Sequence, residues 1–378
     1  MMHRVRLLLA LGISLAAASC AREPANPAIA FSYSFGDTAF EGFLVDELER
    51  ARPEGGVHIR VLGGSSAFMA GDITSLSAEL RRATALVKDP TVVVAIGPGG
   101  SREVLQVAPI YREAGLAEIV PTGTSRLLGA LGASVFLMAA NDSVQGDFIG
   151  AFADTALRAR AAVIIHAPDE YGVGLAAGTA AAFEARGVRL LDRIPIRLQL
   201  DCLVAADRAQ HAAIVDEVAL RGTPDVAVLA TRTAESGCLA RALRARFPAI
   251  QLIAGDGTYF ERNLLLRAAG AAEGAFLVAF WHADVDRFGA LGFRQRFEAR
   301  VGRRARHGDA MFFDAVMLAG SAIHAAGASR LRVQEYLRGV GAEHPAFEGI
   351  TGVISFAPGA PRNLFMTRVV GDRSELVR

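Results

Sequence analysis

The chain has 378 residues, a net charge of +1 and 52% hydrophobic residues. That length favours two lobes over one core, and the hydrophobic share is enough to fill both. The balanced charge gives no footing for nucleic acid or an anionic membrane surface. Lys88 is the sole lysine, so lysine-based covalent chemistry has almost no candidate.

The N-terminus reads as an export signal. His3, Arg4 and Arg6 form a short positive region, and residues 7–18 form an apolar run of about a dozen residues, too short to span a bilayer. Ala17, Ala18 and Ser19 then lead to Cys20, as small residues do ahead of a lipidated cysteine. Ala17 stands where such sites usually carry Leu, so an ordinary cleaved signal with Cys20 incidental stays open. Residues 1–20 are therefore expected to be the signal, and 21–27, with Pro24 and Pro27, a tether. No later stretch is long and apolar enough to span a membrane.

From residue 28 the chain alternates short β-branched runs with helical patterns. Strands are expected over 28–33, 57–62, 92–96 and 118–120, with helices over 38–51, 76–87 and 103–114. The pattern restarts at Ala161, with strands over 163–166, 188–196, 226–230 and 252–254. Helices are expected over 175–186, 208–221, 239–247 and 260–269, with Gly187 and Gly270 as stops. Near-continuous apolar runs such as Val92-Val93-Val94-Ala95-Ile96 suit parallel sheets buried on both faces. Two such series imply an α/β protein with two doubly wound lobes.

Enzyme signatures are missing. There is no nucleophile elbow, no phosphate-binding Gly-Lys loop and no dinucleotide fingerprint, and no histidines sit at helical metal-pair spacing. No cofactor, metal site or catalytic residue is expected. His166, His282 and Trp281 could face a cleft or could be ordinary interior residues. Cys202 and Cys238 could form a disulfide in an exported protein or remain two buried thiols.

Two segments carry binding chemistry. Gly97-Pro98-Gly99-Gly100-Ser101 runs from a buried strand into a helix start, where backbone N–H groups and the helix dipole favour an anion. Val120-Pro121-Thr122-Gly123-Thr124-Ser125 brings hydroxyls and N–H groups to the carboxyl end of the next strand, where open α/β sheets bind ligands. Taken alone, Ser101 could be only a helix cap, and the second segment only a capped turn.

These segments, with Ala108-Pro109-Ile110-Tyr111, resemble type I periplasmic binding proteins of the leucine/isoleucine/valine-binding family. The resemblance continues through Asp169-Glu170-Tyr171-Gly172, Ala271-Ala272-Glu273-Gly274, Phe313-Asp314-Ala315 and the closing strand 347–356. It implies two Rossmann-like lobes joined by crossings near 136–140, 275–281 and 349–356. One lobe would comprise 28–138 and 280–348, the other 139–279 and 349–378. It implies an exported, periplasmic or cell-envelope protein that partners an ABC permease and touches the membrane only through a lipid on Cys20. A ligand-sensing module outside the cell is the alternative, since one fold hosts several functions.

The resemblance also implies the site. Ser101, Thr122 and Thr124 would receive the carboxylate of an amino acid, Tyr171 would face it from the other lobe, and Asp256 would hold its ammonium. Arg232 departs from the family pattern. It could pair with Asp256, or seat a second carboxylate, which keeps a small carboxylate open as ligand.

Overall fold

The computed structural model describes residues 23–32, 37–63, 76–197, 201–259, 262–285 and 287–377. The expected signal, Cys20 and the first residues of the helix expected over 260–269 lie outside these.

The first lobe is built from β1 (Ala28–Phe31), α1 (Thr38–Arg50), β2 (Arg60–Leu62), α2 (Leu76–Lys88), β3 (Val92–Ile96), α3 (Ser101–Glu113), β4 (Ala117–Val120) and β5 (Val135–Leu137), with a 3-10 turn over Arg126–Ala130. The strands lie in the order β2-β1-β3-β4-β5, all parallel. β3 is buried at all five positions, which is why its sequence shows no polar alternation.

The chain then crosses to a second sheet. α4 (Asp142–Thr155), β6 (Ala161–His166), α5 (Glu170–Arg186), β7 (Arg189–Pro195), α6 (Ala205–Arg221), β8 (Val226–Ala230), α7 (Thr233–Arg246), β9 (Gln251–Ala254), α8 (Arg262–Ala268) and β10 (Phe276–Ala279) follow. It returns through α9 (Ala290–Val301), α10 (His307–Ala326) and α11 (Arg330–Gly339), whose apolar faces share one core with β1, β3 and α1. β11 (Phe347–Gly349) and β12 (Gly352–Ile354) form a small hairpin. β13 (Phe365–Val370) and β14 (Arg373–Leu376) close the seven-stranded sheet β14-β13-β10-β9-β8-β6-β7, in which only β13 runs against the other strands. No single described helix is long and apolar enough to cross a membrane.

Several elements depart from the sequence expectation: the helix expected over 239–247 begins at Thr233, the strand expected over 57–62 is only Arg60–Leu62, and three further departures have a clear physical reason. The helix expected over 175–186 begins at Glu170, because Asp169 caps it by accepting the Gly172 N–H at 3.0 Å. Gly172 permits this start, since a Cβ there would lie 2.3 Å from the Ala167 carbonyl oxygen. The closing strand expected over 347–356 is instead a hairpin whose turn is pinned by Asp314 of α10. Its carboxylate accepts the Ile350 and Thr351 N–H groups at 2.9 and 2.8 Å, and the Thr351 hydroxyl at 2.5 Å. α4 and β5 had no sequence expectation as helix and strand. α4 packs almost backbone to backbone on α5, where a Cβ on Gly146 would lie 2.3 Å from the Gly178 carbonyl carbon.

Cys202 and Cys238 form a disulfide that ties the segment before α6 to α7. It closes a loop with a sequence separation of 36. Loss of chain entropy in the unfolded state predicts that the Cys202→Ser, Cys238→Ser variant is less stable by about 2–4 kcal/mol. Denaturant unfolding of both forms checks this; matching midpoints would count against it.

Candidate functional site

The first wall of the site grows from the carboxyl ends of β3 and β4. Gly100 is the N-cap of α3 and makes no side-chain cap, so Ser101 is the first helical residue rather than a cap. The Ser101 Oγ accepts the backbone N–H groups of Thr124 at 3.2 Å and Ser125 at 3.0 Å. Both its lone pairs are thereby occupied, and its remaining capacity is to donate. Thr122 donates its hydroxyl to the Gly99 carbonyl at 3.1 Å. The two loops thus form one knitted surface. The Thr124 hydroxyl is buried and has no hydrogen-bond partner among the described residues.

The opposite wall comes from the carboxyl ends of β6, β8 and β9. Tyr171, in the first turn of α5, accepts the Gly257 N–H on its phenol oxygen at 2.9 Å. Gln145 of α4 accepts the Asp256 N–H at 3.2 Å. These bonds fix the turn that carries Asp256. Gly255 is required for the approach, because a Cβ there would lie 2.6 Å from the Tyr171 hydroxyl. Asp256 is 5% exposed, and its Oδ1 has no partner among the described residues. Burial pushes its pKa up to about 6, against the pull of Gln145, Tyr171 and the Arg232 charge.

Arg232 does not pair with Asp256. Its guanidinium meets Asp169 at 2.6 Å and lies over the Tyr171 ring, 5.8 Å from the centroid. The sequence offered Asp256 as the partner because both follow strands of one sheet. Asp169 wins because it caps α5 beside the end of β8 and has a second carboxylate oxygen to give. Arg267 is likewise committed, through two hydrogen bonds to Asp201.

All six expected ligand-binding residues, Ser101, Thr122, Thr124, Tyr171, Arg232 and Asp256, line one cavity of about 440 Å³ between the two sheets. Sequence reasoning missed Thr233, Glu235, Tyr259 and Asn263, which line it too. Thr233 and Glu235 begin a helix just after β8, so the rule that ligands meet strand carboxyl ends could have found them. Asp142, at the start of α4, is not among the lining residues but is fully buried, with neither carboxylate oxygen hydrogen-bonded among the described residues. Burial pushes its pKa up to about 8, against the pull of the nearby Thr124 hydroxyl, and the charges of Asp256 and Asp169 add to the rise. Two acids, Glu235 and Asp256, and two cations, Arg232 and Arg267, line the cavity, and both cations are already paired, with Asp169 and Asp201.

His166 is a strand-end residue whose Nδ1 lies 2.8 Å from the Ala167 carbonyl oxygen. Among the described residues, the one group spaced to hold a metal is Asp201 with Cys202 and Cys238, and both sulfurs are in the disulfide.

The family described as periplasmic binding protein matches residues 75–372. An amino acid binding protein of Pseudomonas aeruginosa is 31% identical over 163 residues, a match that spans 42% of this chain and 43% of that protein. The fold is similar to that of the branched-chain amino acid transporter substrate-binding protein LivJ of Streptococcus pneumoniae, solved with isoleucine. The TM-score is 0.78 at 19% identity, over 93% of this chain and 99% of that one. It is also similar to an ABC-transporter solute-binding protein of R. palustris solved with benzoate, with a TM-score of 0.73 at 18% identity, over 93% and 95% of the two chains.

Proposed function

We propose, since the chain belongs to the periplasmic binding protein family, that it is the ligand-binding component of an ABC importer and closes its lobes on an amino acid or related zwitterion. The observation that carries this reading is the convergence of hydroxyl donors on one wall and a buried Asp256 with an unpartnered Oδ1 on the other, across one cavity. The first wall suits a carboxylate and the second an ammonium. The described side chains lining the cavity are small, polar, charged or Tyr, with no Leu, Ile, Val, Met or Phe. A ligand with a small or polar side chain therefore fits better than a branched aliphatic one.

The lobes in this reading are 28–138 with 280–348, and 139–279 with 349–378. Sheet membership supports the change after β5 and the place of β13 and β14 in the second lobe, and the core that α9, α10 and α11 share with β1, β3 and α1 supports the return after β10. Closure about the three crossings would bury the ligand and present the shape that a permease reads. Native mass spectrometry should find a small zwitterion co-purifying with the protein. Small-angle scattering should then show a smaller radius of gyration with that ligand than without it. An unchanged radius with binding confirmed by calorimetry would reject hinge closure.

Export with lipidation at Cys20 belongs to the same reading, on the strength of the small residues before it. Fatty-acid labelling should mark the wild type and not Cys20→Ser. Absence of label from both would leave an ordinary cleaved signal.

A further inference from the structure

A second cavity, of about 250 Å³, lies outside the cleft. Its walls come from both halves of the molecule: β10, β13 and the β13–β14 turn on one side, the start of α10 on the other, with the chain crossing at 281–284 between them.

Two of its lining side chains carry buried N–H groups with nothing to bond. Trp281 is 2% exposed, and its Nε1 has no partner among the described residues. His307 is 7% exposed, and its Nδ1 accepts the Phe280 N–H at 3.3 Å. Burial holds the His307 pKa down at about 4, so the ring is neutral near pH 7 and its proton sits on Nε2. That Nε2 also has no partner among the described residues. Two unmatched donors in a buried site are costly unless something accepts from them.

The surroundings carry both charges, with one arginine left without an ion pair among the described residues. Arg304, Arg306 and Arg373 line the cavity. Arg306 is paired with Asp309 and Arg373 with Glu375, while Arg304 is exposed and has no ion pair among the described residues. His307 is also the first residue of the 20-residue α10, so that helix directs its positive end here. Asp284 and Asp372 also line the rim; they are solvent-exposed like Arg304, so all three charges are screened alike.

We propose that this cavity is a binding site for a small oxyanion, which accepts from Trp281 Nε1 and His307 Nε2 and is balanced by Arg304. Because its walls belong to both lobes, occupancy favours one lobe arrangement over another, and so adjusts cleft affinity by linkage.

Trp281 is the protein's single tryptophan, so all the tryptophan fluorescence comes from this site, and with no cleft ligand added it reads anion binding. Phosphate, sulfate and acetate should be titrated separately into the full-length protein at fixed ionic strength, with chloride as the balancing salt. A saturable change with at least one oxyanion and none with chloride is expected, and the tightest of the three distinguishes a phosphate-type ligand from a carboxylate. Arg304→Gln, at an exposed position, should weaken the apparent affinity about fivefold while the melting curve stays unchanged. No saturable response, an equal response to chloride, or an unchanged affinity in Arg304→Gln would overturn the proposal.

Discussion

Replacing Asp256 by Asn is expected to weaken binding of the zwitterionic ligand by about 2–5 kcal/mol, roughly 30- to 5,000-fold. Asp256 sits on the turn after β9 between two glycines, and the turn is held by Gln145 and Tyr171 whether or not the carboxylate is charged. Asn preserves the shape and removes the charge, so a desolvated ammonium loses its counter-ion. Arg232 cannot mask the effect, because it is committed to Asp169. The fold should not suffer. A buried carboxylate with no cation paired to it and one oxygen without a partner carries a desolvation cost, so the melting temperature should hold or rise. A lower melting temperature with unchanged affinity would make Asp256 structural.

The same residue sets the pH response. Its ligand-free pKa is raised to about 6. An ammonium needs the ionised form, and the protonated fraction grows as pH falls below that value. Affinity should therefore decline below about pH 6, by up to tenfold per unit, and Asp256→Asn should remove most of this slope. Calorimetry from pH 5 to 8 on both proteins reads it directly.

Replacing Asp314 by Ala is expected to lower stability by about 3–5 kcal/mol. Asp314 lies in α10, is 1% exposed and accepts three hydrogen bonds from Ile350 and Thr351. Its removal leaves two backbone N–H groups without their acceptor, and each such loss costs about 1–3 kcal/mol. The gap is tight, because a Cβ on Gly349 would lie 2.3 Å from the carboxylate. Asp314→Asn retains acceptor oxygen and should lose less. Denaturant midpoints give the comparison, and a loss below about 1 kcal/mol in the Ala variant would show that the turn stands without this anchor.

Where the sequence was legible, one local rule dominated. β3 and β8 begin and end where expected, because a fully buried parallel strand must be an unbroken apolar run. The six cleft residues were legible because they lie at strand carboxyl ends in a recognisable order of motifs. Other features depend on contacts between distant segments. Arg232 chose Asp169 over Asp256 through the placement of the α5 cap, which the Tyr-Gly-Val-Gly run disguises as a turn. Gln145 holds the Asp256 backbone only because α4 starts where the chain crosses between sheets. The hairpin at 347–354 depends on Asp314, far earlier in the chain, and on Gly352 at φ +128°. No periodicity in a single segment encodes such pairings.

The central claim is that the cleft selects a zwitterion by holding its two charges on opposite walls. Calorimetry of each candidate amino acid beside its deaminated acid, on the ligand-stripped wild type, tests this most directly. The account predicts that at least one amino acid binds and that its deaminated counterpart binds about 30-fold more weakly or worse. Equal or tighter binding of the deaminated acid would contradict it.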